Sequence, residues 1–437
     1  MTGLDALCTA LESERRQPLD WRDKAVQPEW YGRSTADVAA EGHRLDQLST
    51  PIATLDRAAT NHNVATMAAW CEKSQVSLAP HGKTTMAPAL WLDQLRAGAW
   101  GITVANEPQL RVARGVGVPR VVLANLFLRP EGLAWLVAEM DADPDFEFLC
   151  WVDSLDAVRL MDAGLAAAGA RRPVQVLVEV GSSGARTGAR STSDALDVAA
   201  AVVSATSLEL AGVAGYEGVL AHDAQPEALA LVDGFLKRMV ELHRLLLDRY
   251  EVAEPVLSAG GSTYFDRVVA ILAPEGASPV GGRRTRVVVR SGAYVTHDDG
   301  HYRETTPSVR KSGPVFRPAL HVWSRVISIP EPGIAYLDAG KRDLPFDEGL
   351  PEVQLFRRSQ PDGSVSSQPL SGHTLVNTND QHSHVLVPAG SSLAVGDVVR
   401  LGISHPCTAF DKWSLIPVVD DATAANPVVV DLLRTHF

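Results

Sequence analysis

Three short segments of the chain carry residue types that could do chemistry together. In PHGKTT, Lys83 follows an apolar run at 76–79, and a lysine amine in a partly dry cavity can form an imine. In SAGGST, residues 260–263 offer close backbone approach and hydroxyl groups to an anion at the start of a helix. In ISHPC, His405 and Cys407 are two residues apart, so on an extended segment both side chains can face one Zn²⁺ ion.

Each of these segments also has a simpler interpretation. The same residues would be present if the lysine were a solvated loop residue and the two glycines formed an ordinary tight turn. The cysteine could likewise be a buried residue near an unrelated histidine. Two ligands are too few for a closed structural zinc site, so a metal here would need water, substrate or another side chain. Looser candidates stand in other polar segments of the chain: Arg186, Tyr216, Tyr294, His297, His382 and His384.

The composition excludes several classes of protein. The chain has 437 residues, with 40 Lys and Arg against 52 Asp and Glu, and its net charge of −12 argues against a general nucleic-acid binder. Four cysteines are too few for a disulfide scaffold, and no apolar run reaches the roughly 18–20 residues of a membrane span. The polar, charged start predicts no signal peptide. We therefore expect a reduced, soluble, cytoplasmic protein.

A predicted alternation of strands and helices would position these candidate residues. Eight apolar runs between residues 76 and 290 alternate with helical segments such as 87–97, 155–168 and 227–250. Continuous apolar runs are typical of parallel strands covered by helices, and eight such units predict a (β/α)₈ barrel of the TIM type. An open doubly wound sheet is the alternative. In the barrel, Lys83 follows the first strand and residues 260–263 follow the seventh, at the end where barrels place their chemistry.

After about residue 307 the sequence no longer predicts alternating strands and helices. Short runs such as LHVWSRVISI and VVRLGI stand between Pro and Gly turns, and helical periodicity returns only in the last dozen residues. We predict three parts: an N-terminal segment, 1–49, that packs on a β domain; a barrel, 50–306; and a C-terminal all-β domain, 307–437, with the candidate metal site.

Several segments resemble one known family. TPIATLDRAATNHNVATMAAWCEKSQVSLAPHGKT is similar to the opening of the D-threonine aldolase and D-serine dehydratase family, pyridoxal-phosphate enzymes of the alanine racemase-like fold. SAGGST, SGAYVTHDD and VGDVVRLGISHPCTAFDKW resemble later segments of that family, so the likeness runs from about residue 50 to residue 416. Where this sequence departs from the usual motifs of the family, it resembles a bacterial subgroup called amino acid deaminases.

The resemblance implies roles for individual residues. Lys83 is the catalytic residue that holds pyridoxal 5'-phosphate covalently, and His405 and Cys407 are ligands of Zn²⁺. A thiolate ligand suits Zn²⁺ and is found in the dehydratase-type members, whereas aldolase members tend to use His and Asp. The residues implied to contact the cofactor are Lys83, His81, Arg186, Tyr216, Ser258, Gly260, Gly261, Ser262, Thr263 and Tyr294.

The resemblance also implies a reaction. We expect a zinc-assisted lyase that removes the β-hydroxyl of a D-3-hydroxyamino acid such as D-serine, giving a 2-oxo acid and ammonia. The alternatives are aldolase-type cleavage to glycine and an aldehyde, a pyridoxal-phosphate-binding protein without turnover, and a cofactor-free metal-dependent hydrolase. By analogy with the fold, we expect a homodimer in which a second subunit completes the barrel mouth. The expected partner is a small amino acid, with no nucleic acid or membrane.

Overall fold

Eight parallel strands form a barrel in the computed structural model, which describes residues 4–24, 26–279 and 282–437. These strands are β2 (Ser77–Leu78), β3 (Ile102–Val104), β4 (Arg120–Leu126), β5 (Glu147–Val152), β6 (Val174–Val180), β7 (Leu208–Gly215), β8 (Val256–Ala259) and β9 (Arg286–Val289). They pair in the order β2-β9-β8-β7-β6-β5-β4-β3. A parallel bridge between His81 and Thr103 closes the ring between β2 and β3. The predicted barrel is confirmed.

The helices begin where polar residues end the strands. Asn106, Ser154 and Ser191 each accept a hydrogen bond from the backbone N–H three residues ahead, which satisfies a free donor in the first turn of a helix. The helices are α1 (Asp5–Arg15), α2 (Thr35–Ala40), α3 (Arg57–Lys73), α4 (Pro88–Arg96), α5 (Glu107–Gly115), α6 (Pro130–Ala142), α7 (Leu155–Ala167), α8 (Thr192–Ser204), α9 (Pro226–Leu245), α10 (Phe265–Ala277), α11 (His301–Thr305) and α12 (Cys407–Phe410).

A separate cluster of buried side chains comes from six successive strands of the barrel, β4 to β9, and from the residue after β2. Trp151 is its largest member, and aliphatic residues surround it: Ala79, Val122, Leu149, Leu177, Ala211, Ala214, Val256 and Val288. The barrel is therefore a packed core and not a pore, as is usual for this architecture, so its chemistry must take place above the strand ends.

The C-terminal domain is built on a second sheet of ten strands. They are β1 (Ile52–Asp56), β10 (Leu320–Glu331), β11 (Ile334–Leu337), β12 (Glu352–Ser359), β13 (Val365–Pro369), β14 (Thr374–Thr378), β15 (Ser383–Leu386), β16 (Val398–Gly402), β17 (Leu415–Val419) and β18 (Val429–Arg434). The main path is β13-β12-β16-β10-β1-β17-β18. β1 falls within the segment predicted to form the barrel, yet it pairs antiparallel with β10 and parallel with β17.

The two ends of the chain complete this domain. Trp30 and other apolar residues of the N-terminal segment pack against Trp323 of β10 and against β17 and β18; residues 1–3 and 25 of that segment lie outside the described residues. The helical periodicity noted in the last dozen residues is misleading, because half of them form β18 (Val429–Arg434), which pairs with β17. The run Val428–Val430 favours a strand through its β-branched side chains. Within the described residues, no helix is long and apolar enough to cross a membrane.

Candidate active site

A cavity of about 1030 Å³ opens at the C-terminal ends of the barrel strands. Its wall includes residues of the C-terminal domain, among them His405 and Cys407 of the same chain. Every barrel strand also contributes a lining residue at or just beyond its C-terminal end: Lys83, Ala105, Asn125, Trp151, Glu179, Tyr216, Gly260 and Arg290, in chain order. The fold thus brings Lys83, Gly260 and the His405–Cys407 segment to a single cavity.

Lys83 lies in the short 3₁₀ turn Gly82–Thr84, just beyond β2. Burial lowers the pKa of its ammonium group below the usual value. The Cys407 thiol nearby opposes that shift, and the positive charges of Arg186 and Arg290 add to it. A lysine in this position therefore gives up its proton more readily than a surface lysine, and its free amine is a base and a nucleophile.

Besides Nε1 of Trp151, two groups on the cavity wall have buried polar atoms without a protein partner in the part of the chain that the structure describes. One is Nδ1 of His81, whose pKa burial lowers well below the usual value, so the imidazole is neutral at pH 7. The other is Oε2 of Glu179; its Oε1 accepts a hydrogen bond from the Thr187 hydroxyl at 3.0 Å. Burial raises the pKa of Glu179 to about 7. Unpaired buried polar atoms are uncommon, so a bound polar molecule is expected here.

Arg290 places a buried positive charge beside these groups. Its guanidinium donates to the Ser258 hydroxyl and to the Gly215 carbonyl, both at 2.6 Å, and lies 5.0 Å from the centre of the Trp151 ring. Burial lowers the pKa of Arg290 to about 10, which leaves it charged at pH 7. Ser258 therefore holds Arg290 and does not itself line the cavity.

Arg186 and Tyr216 form an adjoining part of the wall. The Arg186 guanidinium lies 4.7 Å from the centre of the Tyr216 ring, and the side chain is exposed at the mouth of the cavity. Stacking of this kind orients a guanidinium without neutralising its charge. Arg186 therefore keeps a positive charge available to an anion that enters the cavity.

The glycine turn after β8 is hydrogen-bonded to Glu217, a residue distant in the sequence. Gly260 has a φ of +113°, a conformation that favours glycine. The backbone N–H groups of Gly260 and Gly261 donate to the two carboxylate oxygens of Glu217, at 3.0 and 2.7 Å. Further along the turn, Ser262 and Thr263 line the cavity. These two residues precede the N-terminus of α10.

Cys407 lies next to Lys83 and Thr84, and His405 lines the same cavity. The Cys407 thiol is 3.5 Å from the Thr84 hydroxyl. Nδ1 of His405 is 2.7 Å from a carboxylate oxygen of Asp347, whose other oxygen accepts a hydrogen bond from the Thr408 hydroxyl at 2.6 Å. This contact fixes the imidazole and leaves Nε2 as the nitrogen that could bind a metal. Burial lowers the pKa of His405, but the Cys407 thiol and the Asp347 carboxylate raise it overall, to about 9.

The same segment is docked onto the barrel by backbone contacts. The Asp299 N–H donates to the Ile403 carbonyl at 2.9 Å, and the His301 N–H donates to the Ser404 carbonyl at 3.3 Å. Between them, Gly300 packs so closely on Ser404 that an added Cβ would lie 2.7 Å from the serine Cβ. The position of His405 relative to Lys83 therefore depends on this contact. Among the described residues, no three His, Cys, Asp or Glu side chains converge as a metal cluster.

Comparisons with known proteins agree with this architecture. Residues 55–265 match the family model "Alanine racemase, N-terminal domain", and residues 319–419 match the model "Putative serine dehydratase domain". D-threonine aldolase from Arthrobacter sp is 26% identical over 396 residues, which cover 89% of this chain and 93% of that relative. 3-Hydroxy-D-aspartate aldolase from Paracoccus denitrificans is 23% identical over 72% of this chain and 78% of that relative.

Solved structures show the same alanine racemase-like fold. D-threonine aldolase from Filomicrobium marinum superposes with a TM-score of 0.73 at 24% identity, over 90% of this chain and 97% of that one. D-threo-3-hydroxyaspartate dehydratase from Delftia sp. HT23 gives a TM-score of 0.67 at 21% identity, over 90% and 99% of the two chains. The resemblance stated from the sequence is confirmed at the level of fold and homology.

The alanine racemase-like cavity gathers most, but not all, of the predicted site residues. Those that line it are His81, Lys83, Arg186, Tyr216, Gly260, Gly261, Ser262, Thr263, His405 and Cys407. Ser258 lies behind the wall, and the Tyr294 hydroxyl accepts a hydrogen bond from Gln94, away from the cavity. Three looser candidates also lie off the wall: His297, His382 and His384.

Sequence analysis missed four charged residues that shape the site: Glu179, Glu217, Arg290 and Asp347. The first three stand at ends of predicted barrel strands, in EVGSS, GYEG and RSGAY, so their positions carried a usable signal. No local sequence signal points to Asp347, because it lies 58 residues from His405, which it contacts.

Proposed function

We propose that the protein is a pyridoxal-phosphate- and zinc-dependent lyase that eliminates the β-hydroxyl of D-3-hydroxyamino acids, giving a 2-oxo acid and ammonia. The observation that carries this proposal is the convergence of Lys83 with His405 and Cys407 on one cavity. A depressed lysine pKa suits a base, and a His-Cys pair suits a soft divalent ion. The homology to aldolases of D-3-hydroxyamino acids supports the substrate class.

The residues present fit pyridoxal phosphate. Lys83 would hold it covalently, and Ser262 and Thr263, before the N-terminus of α10, would face its anionic end. The unpaired atoms of His81 and Glu179 mark polar positions on the same wall. When bound, this cofactor withdraws electrons from the α-carbon of the amino acid attached to it.

The protein then has to move a proton and orient a leaving group. Once a substrate amine has taken its place on the cofactor, the freed Lys83 amine would take the proton from the substrate α-carbon. Burial lowers the pKa of this amine, so more of it is in the unprotonated form. Arg186, which lines the cavity, would bind the carboxylate of the incoming substrate. The closely docked Gly300–Ser404 contact holds the His405 segment over Lys83.

The donor set fits an open zinc site with two protein ligands. His405 Nε2 and the Cys407 thiolate would bind Zn²⁺, and Asp347 holds the other imidazole nitrogen, as carboxylates do at many zinc sites. Zn²⁺ would act as a Lewis acid on the β-hydroxyl. A cysteine-to-alanine mutant of D-threo-3-hydroxyaspartate dehydratase has been solved in a metal-free form. The structure of a histidine-to-alanine mutant of that enzyme is also solved, and the two substituted positions are two residues apart, as His405 and Cys407 are.

A second candidate is aldolase-type cleavage to glycine and an aldehyde. Both curated relatives are named as aldolases, which favours it. The two reactions differ in the proton that a base removes: the α-proton in elimination and the β-hydroxyl proton in cleavage. Cys407 favours elimination, because aldolase members of the family resembled here tend to carry Asp at this position.

Product analysis decides between the two reactions. We expect the protein loaded with pyridoxal phosphate and zinc to release ammonia and a 2-oxo acid from D-serine, D-threonine or 3-hydroxy-D-aspartate. Glycine as the product would establish the aldolase instead. If no substrate gives either product or changes the visible spectrum, a cofactor carrier without turnover is the correct description. A homodimer and a cytoplasmic location remain proposals, and light scattering of the purified protein tests the first.

A further inference from the structure

Glu217 is a buried carboxylate that the proposed reaction does not use. It lies in the 3₁₀ turn Glu217–Val219, immediately after β7, and is 0% exposed. Its two oxygens accept the backbone N–H groups of Gly260 and Gly261, at 3.0 and 2.7 Å. Each oxygen has its own donor, so the carboxylate and the turn after β8 form a paired, two-point contact.

The position of Glu217 shows which way the glycine donors point. Gly260 and Gly261 line the cavity, whereas Glu217 does not. The carboxylate therefore holds the turn from the side away from the cavity, and these two N–H groups are directed at it. The family resemblance implies that both glycines contact the cofactor, yet their backbone N–H groups already donate to Glu217.

Several contacts keep this turn in one shape. Gly261 lies so close to Tyr216 that an added Cβ would be 2.9 Å from the tyrosine ring. The buried charge of Arg290 is one of the charges that interact with Glu217, and Arg290 donates to the carbonyl of Gly215 near the end of β7. A buried carboxylate needs such partners, because an unpaired charge in the interior is strongly disfavoured. The ends of β7, β8 and β9 are tied together at this point.

We propose that Glu217 is a positioning residue that holds the Gly260–Gly261 turn from behind, so that the anionic end of the cofactor is bound only by groups that follow Gly261. Ser262 and Thr263 line the cavity, and each side chain keeps an O–H donor. The Ser262 Oγ also accepts the Ala293 N–H at 3.2 Å, and the Thr263 carbonyl accepts a hydrogen bond from Arg310 at 2.7 Å, which hold the two residues in place. This inference rests on the proposed function, because it takes pyridoxal phosphate as the ligand of the cavity.

The test compares two cofactor forms on a Glu217→Gln variant. Gln keeps the size of Glu but sets an NH₂ group against one backbone N–H, so the turn loses an acceptor and must reorient. Pyridoxal and pyridoxal phosphate are titrated into apoprotein, and binding is followed by visible absorbance and by borohydride trapping on Lys83. We expect the affinity for pyridoxal phosphate to fall at least about tenfold, with little change for pyridoxal, which lacks the phosphate.

Controls separate this role from general stability. Glu251→Gln is the matched control, because Glu251 also accepts a backbone N–H, that of Leu210, at 2.7 Å, but near the opposite end of β7. It should leave both affinities unchanged. Glu217→Asp keeps the carboxylate but is one methylene shorter, so it should lose less affinity for pyridoxal phosphate than Glu217→Gln, again with little change for pyridoxal. If Glu217→Gln does not fold, this smaller, phosphate-dependent loss is the test.

Three results would overturn the inference. Equal losses for both cofactor forms would give Glu217 a purely structural role. Unchanged affinities would show that the contact is dispensable. Tighter binding of pyridoxal phosphate would mean that the carboxylate competes with the phosphate for the glycine donors. If the wild-type protein binds neither form, the proposed function fails, and that outcome is distinct from the other three.

Discussion

Replacing Gly300 by Ala should separate cofactor binding from turnover. The new Cβ would lie 2.7 Å from Ser404 Cβ and 2.8 Å from Ser404 Cα. Non-bonded carbon atoms prefer roughly 3.5–4.0 Å, so Ser404 must move away by about 1 Å. Because His405 follows Ser404 directly, the His405–Cys407 segment shifts relative to Lys83, while the turn that carries Lys83 stays in place.

A displacement of this size has a calculable effect. A misplacement of about 1 Å can lower a rate about 10²-fold, so we expect kcat/KM on the best D-3-hydroxyamino acid to fall by about that factor. Overpacking should lower the free energy of unfolding by about 1–3 kcal/mol, measured by urea denaturation. Visible absorbance of the bound cofactor should match that of the wild type.

A matched substitution controls for the added methyl group. Gly234 lies within α9 with nothing within 4 Å of its added Cβ, so Gly234→Ala should leave the rate unchanged and stabilise the protein slightly. Full activity of the Gly300→Ala variant, with normal stability, would refute the view that this contact sets the geometry of the site. Loss of cofactor absorbance in step with the rate would show that the contact acts on the whole cavity.

Four further outcomes are expected. Lys83→Ala should purify without visible absorbance and should not be trapped by borohydride; a yellow, reducible variant would contradict the role of Lys83. Cys407→Ala should lose zinc by elemental analysis and keep the cofactor, and Asp347→Asn should weaken zinc binding about 10–100-fold, as measured with a competing chelator. Burial lowers the pKa of His243 to about 4, so its neutral form is favoured in the folded state. Its contribution to stability is complete above pH 6.5 and is lost as the pH falls towards 4, by up to about 3 kcal/mol; a His243→Asn variant should show a correspondingly weaker loss in urea denaturation.

The barrel could be predicted because its strands are buried on both faces. Such strands are continuous apolar runs, and all eight strands lie at predicted positions. β1 has the same appearance, since all five of its residues are buried, but it lies at the centre of the other sheet. A sequence pattern indicates that a strand is buried, but it does not indicate which sheet the strand belongs to.

The candidate site was predictable only in part for a related reason. Lys83, His405 and Cys407 are found from residue type and local spacing. The role of Ser258 depends on Arg290, 32 residues later, and that of Gly260 depends on Glu217, 43 residues earlier. Such pairings are set by neighbouring strands of the barrel and leave no local pattern.

The position of β1 affects the order in which the two domains fold. β1 stands between β10 and β17, so without it the main sheet would divide into two pieces, yet about 260 residues of barrel separate β1 from β10 in the sequence. As the chain leaves the ribosome, the barrel can form from its own segments, whereas the smaller domain must wait for strands from both ends of the polypeptide. The Cys407 side of the cavity is therefore assembled last.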